Sequence, residues 1–286
     1  MERQRLMWLL LALAVIVIGL PLCNKIASKQ KEGWGAMQYP QLVLGMLGIF
    51  VYVGVEVATA SNLPEFMKQK IGTSEDEVAP FVSLFWASMM IGRWASAAGV
   101  FEKSKIFNRI MGVVLPLVAF GIFALANTIG GSDISSFIPY LGLVFVLIAA
   151  DFISSGNPVR QIVIYSSLGI VALLVGIFSA GNVSVFAFIS VGLFCSTLWP
   201  CIFTLGIAGL GKRTNTASSL LILMIMGGGF ISLAQGALAD EKLLGIQQSY
   251  WVGVVCFIYL AYFAIRTKTI LKNKGIDTFD APASGH

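Results

Sequence analysis

Histidine is almost absent from this sequence, and cysteine is scarce. The single histidine of the 286-residue chain is its last residue, His286, and the four cysteines lie in or beside apolar runs. A Ser-His or Cys-His catalytic pair, or a histidine-based metal site, therefore has almost no source of imidazole. Cysteines in apolar runs are typical of buried free thiols rather than disulfides. We expect no enzyme, no metal site and no cofactor.

Charge is also scarce. Charged residues make up 12% of the chain and hydrophobic residues 57%, with a mean hydropathy of +0.85. A soluble domain has about 25% charged and about 45–50% apolar residues. Apolar runs of spanning length recur along the whole chain, which predicts an all-α polytopic membrane protein. The net charge of +5 comes from basic residues in short loops and does not indicate a nucleic-acid partner.

Nine apolar runs are candidates for membrane-spanning helices. They cover residues 6–23, 40–60, 80–101, 107–127, 137–153, 160–180, 184–208, 217–239 and 249–266. The run 137–153 is the weakest, because its apolar core is only marginally long and ends at Asp151. A re-entrant or interfacial segment is the alternative there.

Basic residues are distributed unevenly over the loops between these runs. If residues 24–39 face the cytoplasm, the cytoplasmic segments carry thirteen Lys and Arg residues and the outer loops carry three. This bias predicts a multi-pass protein of the inner (plasma) membrane with a cytoplasmic C-terminal tail, 268–286. Arg3 and Arg5 disagree, because they would face outside. We therefore expect that further sequence normally precedes Met1.

The run Leu42–Ala60 carries one carboxylate, Glu56, at membrane depth. At about 1.5 Å rise per residue, Glu56 lies about 21 Å along a helix that crosses about 30 Å of hydrocarbon. A charged group there costs about 3 kcal/mol or more unless it finds a partner, water or a proton. Tyr52 lies four residues earlier on the same helix face. The pair is either a substrate or proton site, or a structural hydrogen bond to a neighbouring helix.

Two other spans carry an arginine and tryptophans. Trp86 and Arg93 lie seven residues apart on one face of 80–101, and we expect Arg93 to be a gating or structural residue that can reach the interface. Pro200 removes a backbone hydrogen bond within its span and predicts a kink. The neighbouring Trp199 is either a stacking platform for a sugar ring or bulk that faces lipid.

The span 217–239 combines glycines with an amide. Gly227, Gly228 and Gly229 are consecutive and allow another helix to approach closely. Gln235 follows in the outer part of the span, and its amide can both donate and accept, as a hydroxyl-rich ligand requires. The alternative role for Gln235 is a hydrogen bond between helices.

Four stretches, taken in order, resemble the fucose permease-like branch of the major facilitator superfamily. Members of this branch are sugar:proton symporters and include bacterial glucose/galactose transporters. The stretches are LGIFVYVGVEV (47–57), FVSLFWASMMIGRW (81–94), LFCSTLWPCIFTLGIAGLGKRT (193–214) and ASSLLILMIMGGGFISLAQGALAD (217–240). The sequence departs from the family at Cys195, where asparagine is frequent, and at Ser232, where proline is frequent. The identity of the sugar therefore stays open.

The resemblance implies the C-terminal six-helix half of a twelve-helix fold, with one preceding helix and an inserted helix pair. Residues 1–23 would be the last helix of a missing N-terminal half, 24–39 part of the cytoplasmic central loop, and 40–267 the C-terminal bundle. Two spans are then in excess between the family's eighth and tenth helices. Either 107–127 or 160–180 can be the ninth.

The resemblance also implies a function, which is proton-coupled symport of a hexose or deoxyhexose by alternating access, as part of a longer transporter. The expected partners are the sugar, the proton, the lipid bilayer and the missing N-terminal half. The alternative is a non-transporting membrane module for binding or assembly. The candidate substrate-binding residues are Tyr52, Glu56, Trp86, Trp199 and Gln235, and the candidate gating or structural residues are Arg93, Pro200, Gly227, Gly228 and Gly229.

Overall fold

The computed structural model describes residues 2–29, 35–97 and 104–276, and their regular secondary structure is helical. Parts of the predicted central loop (30–34) and of the C-terminal tail (277–286) lie outside the described residues. The helices are α1 (Glu2–Ala27), α2 (Pro40–Phe66), α3 (Glu75–Ala97), α4 (Lys105–Ile129), α5 (Leu141–Ser154), α6 (Pro158–Phe178), α7 (Gly181–Cys195), α8 (Leu198–Ile207), α9 (Thr214–Leu223), α10 (Gly227–Leu238), α11 (Gly245–Gln248) and α12 (Trp251–Asn273).

Within the described residues, these helices form nine candidate membrane spans, the number that the sequence predicts. The pairs α7–α8, α9–α10 and α11–α12 each form one span. A 3₁₀ turn at Ser135–Tyr140 lengthens α5, so that Ser135–Ser154 has 20 residues and a mean hydropathy of 2.1. The weakest run in the sequence is therefore long and apolar enough to cross a bilayer.

Local sequence signals explain where several helices begin. Proline occupies the first position of α2 and of α6, where its missing N–H costs nothing. The Asn157 side chain accepts a hydrogen bond from the backbone N–H of Arg160 at 3.0 Å and caps α6. Ser104 caps α4 in the same way through the N–H of Phe107, at 3.2 Å.

The α2 span and the α7–α8 span lie at the centre of the bundle. Their most apolar stretches bury 72% and 83% of their residues, whereas the corresponding stretch of α1 buries 6%. Helix α2 packs against α8, α10 and α12, and α7 packs against α3 and α6. Helix α1 touches α2 and α10 and leaves apolar side chains such as Trp8 and Val15 exposed. Residues on α2 and α7–α8 are thus the ones that the fold holds most firmly.

The C-terminal end of α12 is fastened to the start of α2. Lys274 Nζ donates to Gln41 Oε1 at 3.1 Å and lies 5.0 Å from the centroid of the Tyr39 ring. Gln41 Nε2 in turn donates to the carbonyl of Ala208 at 3.1 Å. Partial burial lowers the pKa of Lys274. Three spans are therefore joined at one face of the bundle.

Helices α2 and α10 are in close contact and run parallel. A Cβ at Gly227 would overlap the Phe50 carbonyl, and a Cβ at Gly228 would lie 3.1 Å from Val57 Cγ2. The close approach that the sequence predicts for the glycines is thus seen at Gly227 and Gly228. It is not seen at Gly229, where a Cβ would meet nothing within 4 Å.

We predict that Gly227→Ala lowers thermal stability and that Gly229→Ala does not. The added methyl at 227 must push α10 away from the backbone of α2, and overpacking of this kind costs about 1–3 kcal/mol. Thermal unfolding of the purified variants in mild detergent measures the difference in Tm. Equal Tm values for the two variants would contradict the close approach at Gly227.

Candidate functional site

The seventh span contains a helix break. Helix α7 ends at Cys195 and α8 begins at Leu198, so residues 196 and 197 separate them. Pro200 has no N–H and cannot donate to the carbonyl four residues earlier, which is that of Ser196. The predicted kink is therefore a break, and its centre lies three to four residues before the proline that explains it.

The side chain of Arg93 takes the place of the missing backbone donor. Arg93 Nε on α3 donates to the carbonyl oxygen of Ser196 at 3.3 Å. The preceding residue, Gly92, permits this contact, because a Cβ there would overlap the Ser196 side chain. The carbonyl exposed by Pro200 is thus satisfied by a charged group from another helix, as burial within a membrane requires.

Four of the predicted site residues meet beside this break. Tyr52 is 1% exposed and Glu56 is half-buried, and the Tyr52 hydroxyl lies close enough to the Glu56 carboxyl to interact as a hydrogen-bonding partner. The charge of Arg93 also acts on that carboxyl. The Tyr52 and Trp199 rings are 6.2 Å apart, between centroids. A carboxylate, a guanidinium, a phenol and an indole therefore converge from α2, α3 and α8.

Trp86 shares an opening with Arg93, as their spacing in the sequence predicts. Trp86 is 49% exposed and, with Arg93, lines a shallow cavity of about 330 Å³. Met89, Met90 and Trp94 complete the lining. The cavity presents aromatic and thioether surface beside one cation, which suits an apolar ring face with polar edges.

Gln235 lies on α10, outside the three helices that carry this group. It is 1% exposed, and its Nε2 has no hydrogen-bond partner among the described residues. Ser232, one turn earlier on α10, contacts the Ser61 hydroxyl at 3.0 Å. Gln235 therefore lies on the helix that packs against α2, which carries Tyr52 and Glu56. Its participation in the same ligand site stays a prediction.

The structure also reveals a polar cluster that the sequence did not predict. Ser96 Oγ donates to Asp151 Oδ1 at 2.7 Å, and the Tyr165 hydroxyl lies 3.5 Å from the same oxygen. Gln161 Nε2 has Ser96 Oγ at 3.1 Å, Asp151 Oδ1 at 3.4 Å and Thr197 Oγ1 at 3.0 Å. The sequence offers one local signal for this cluster, which is an acid at the end of a span. The partners of that acid come from α3, α6 and the α7–α8 break, so their proximity cannot be read from the sequence.

The two polar groups meet at the break itself. Ser196 accepts from Arg93 through its carbonyl, and the next residue, Thr197, accepts from Gln161 through its hydroxyl. The break is therefore held on one side by the Glu56 group and on the other by the Asp151 cluster.

Comparison with solved structures defines the class of fold. A crystal structure of a major facilitator superfamily transporter, FucP, in the outward conformation superposes with a TM-score of 0.56 at 20% sequence identity. The match covers 80% of this chain and 42% of the transporter. The chain therefore has a major facilitator fold, matched to less than half of that structure.

Comparison with known sequences shows which transporters this chain resembles. A glucose/galactose transporter of Brucella abortus is 29% identical over 276 residues, which are 92% of this chain and 53% of that protein. The L-fucose-proton symporter of Escherichia coli is 30% identical over 112 residues, 39% of this chain and 25% of the symporter. No family model matches. The chain is therefore similar over most of its length to glucose/galactose transporters, and over a shorter stretch to an L-fucose-proton symporter. It spans about half the length of the glucose/galactose transporters that it matches.

We predict that Arg93→Ala is costly only while Pro200 is present. In the natural sequence it should lower stability by about 1.5–3 kcal/mol, because a carbonyl inside the bundle loses a charged donor. In a Pro200→Ala background the restored N–H of residue 200 can serve Ser196, so the loss should shrink. Thermal unfolding of the four proteins in detergent gives the double-mutant cycle. Arg160→Ala, at an exposed arginine, is the control. Equal costs of Arg93→Ala in both backgrounds would contradict the assignment.

Proposed function

We propose that this chain forms the sugar-binding C-terminal bundle of a proton-coupled sugar transporter that works by alternating access. The proposal depends on one observation. Tyr52, Glu56 and Trp199 converge beside the break in a buried span, and Arg93 binds to that break. The names of the relatives, a glucose/galactose transporter and an L-fucose-proton symporter, support a hexose or deoxyhexose as the substrate class.

The chemistry of these side chains suits a sugar. A carboxylate accepts hydrogen bonds from adjacent hydroxyls, and an indole or phenol face packs on the apolar face of a pyranose ring. Glu56 would receive the hydroxyls, and Tyr52 and Trp199 would form the aromatic wall. Gln235 Nε2 has no hydrogen-bond partner among the described residues, which supports a role for it as a donor to a further hydroxyl.

Arg93 is proposed as the gating residue. Its guanidinium donates to the Ser196 carbonyl at the break, and its charge acts on Glu56. A ligand that hydrogen-bonds to the Glu56 carboxylate would therefore change the strength of the hydrogen bond between Arg93 and Ser196. Broken helices that bind near the membrane midplane are a recurring device for alternating access.

The family's halves suggest how the helices divide. We assign α1 to the last helix of a preceding six-helix half, residues 24–39 to the central loop and 40–267 to the C-terminal bundle. The second half of the transporter would be the partner across the substrate path. An inserted helix pair in this scheme includes α4, which packs on α3 and α5 and buries only 28% of its most apolar stretch. Such a peripheral position is compatible with an addition to the bundle.

We predict that Glu56→Gln weakens sugar binding or its coupling to protons by at least about tenfold, because a hydrogen bond to a charged group contributes about 1.5–3 kcal/mol. The measurement is uptake and equilibrium exchange of labelled glucose, galactose and fucose in vesicles that contain the protein. Glu65→Gln, at an exposed acid on the same helix, is the matched control. Affinity and coupling that match the control would remove Glu56 from the mechanism. Sugar binding without any transport would favour a binding module instead.

The proposed orientation places the C-terminal end of α12 in the cytoplasm. Cysteines introduced at the exposed residues Lys242 and Lys272, one at a time in a Cys23→Ser background, should label differently. An impermeant maleimide applied to intact cells should modify position 242, and position 272 only after permeabilisation. The other three natural cysteines are buried and should stay silent. The reverse pattern would invert the topology.

A further inference from the structure

Asp151 is a second carboxylate inside a span, and the proposed sugar site does not use it. It lies in the last turn of α5, four residues before Ser155, where a left-handed residue ends the helix. Ser96, Gln161 and Tyr165 surround its Oδ1 atom with neutral donors at 2.7, 3.4 and 3.5 Å. The residue is half-buried, so protein encloses it only in part.

The groups that face Asp151 supply no compensating charge. Ser96 is the contact from α3, the titratable neighbours are Tyr165 on α6 and Cys201 on α8, and both of these are neutral when protonated. Among the described Lys and Arg residues, none forms an ion pair with this carboxylate. A carboxylate inside a membrane bundle with only neutral donors must keep its charge at high cost or take up a proton, and such acids serve in proton relays.

The amide of Gln161 makes the cluster sensitive to that charge. Its two hydrogens face three acceptors, Ser96 Oγ, Asp151 Oδ1 and Thr197 Oγ1. Its Oε1 accepts a weak hydrogen bond from the thiol of Cys201 at 3.4 Å, which favours this orientation of the amide. A charged Asp151 attracts these hydrogens strongly, because a hydrogen bond to an ion is about twice as strong as a neutral one. A neutral Asp151 leaves both hydrogens to Ser96 and Thr197.

We propose that Asp151 is a proton-binding site that controls the α7–α8 break through Gln161 and Thr197. A proton from the aqueous phase adds to a carboxylate oxygen and neutralises it, and the amide of Gln161 then holds the Thr197 hydroxyl more tightly. Loss of the proton draws the amide back and loosens the break. Because Ser196 is bound to Arg93, this change reaches the Glu56 group. The proposal rests on the proposed transport function for its consequence, but not for the binding of the proton.

Transport measurements test the consequence. With one proton per sugar, an imposed gradient of about one pH unit sustains about tenfold accumulation, since one pH unit corresponds to about 1.4 kcal/mol. Asp151→Asn should abolish this accumulation of labelled glucose, galactose or fucose in vesicles and leave equilibrium exchange within about twofold of the natural protein. Asp133→Asn, at an acid in the loop between α4 and α5, should behave like the natural protein, and Asp151→Glu should retain accumulation.

A second variant covers the case in which Asp151→Asn does not fold. Thr197→Val keeps the volume of the side chain and removes the hydroxyl that Gln161 binds. It should lower accumulation at least about threefold with exchange preserved, because a neutral hydrogen bond contributes about 1 kcal/mol. Full accumulation by a folded Asp151→Asn variant, or by Thr197→Val, would overturn the proposed control of the break.

Infrared spectroscopy tests the proton site without any sugar. The pH-difference spectrum of the natural protein in lipid should contain carbonyl bands of protonated carboxylic acids, and the band that belongs to Asp151 should be missing from the spectrum of Asp151→Asn. It should persist in Asp133→Asn and in Thr197→Val. A folded Asp151→Asn variant that retains every carbonyl band of the natural protein would remove the proton site. Absence of sugar exchange in the natural protein, with the Asp151 band present, would refute the proposed function and leave the proton site standing.

Discussion

A backbone carbonyl without a donor cannot be left unsatisfied inside a membrane, and this constraint organises the centre of the molecule. Pro200 deprives the Ser196 carbonyl of its helical partner, and Arg93 supplies the hydrogen bond from α3. The guanidinium is held at the break by a structural need, and its charge also acts on Glu56. The contact that repairs the helix therefore also offsets part of the cost of burying this carboxylate.

Two carboxylates within the spans meet the cost of burial in different ways. Glu56 has a cation and a phenol nearby, whereas Asp151 has hydroxyl and amide donors and no described cation. Burial disfavours the charged form of both acids, and a positive charge offsets part of that cost only at Glu56. One fold therefore gives its two acids different reasons to hold or release a proton. This separation of environments is the usual basis for assigning separate roles to paired acids.

Sequence reasoning succeeded where the relevant distances lie within one helix. The nine spans follow from apolar runs, and the pairing of Tyr52 with Glu56 follows from helical periodicity, because both depend on neighbours three or four residues away. The sequence did not predict the Asp151 cluster, because Ser96, Gln161 and Thr197 come from three other segments that only the packing brings together. The difference between Gly227 and Gly229 was not predicted for the same reason, since three consecutive glycines do not indicate which face of the helix contacts α2.

The α7–α8 break is the point at which the Glu56 group and the Asp151 cluster meet. In an unbroken helix, residues 196 and 197 would be held by backbone hydrogen bonds that no ligand or proton can alter. Here the Ser196 N–H and the Thr197 carbonyl keep backbone hydrogen bonds, but the Ser196 carbonyl and the Thr197 hydroxyl are held by side chains from α3 and α6, Arg93 and Gln161. Side-chain hydrogen bonds can be exchanged at small net cost, because each contributes only about 1 kcal/mol. A buried span that is interrupted and then held by side chains can thus change shape in response to its neighbours, and in this molecule those neighbours are the two acids.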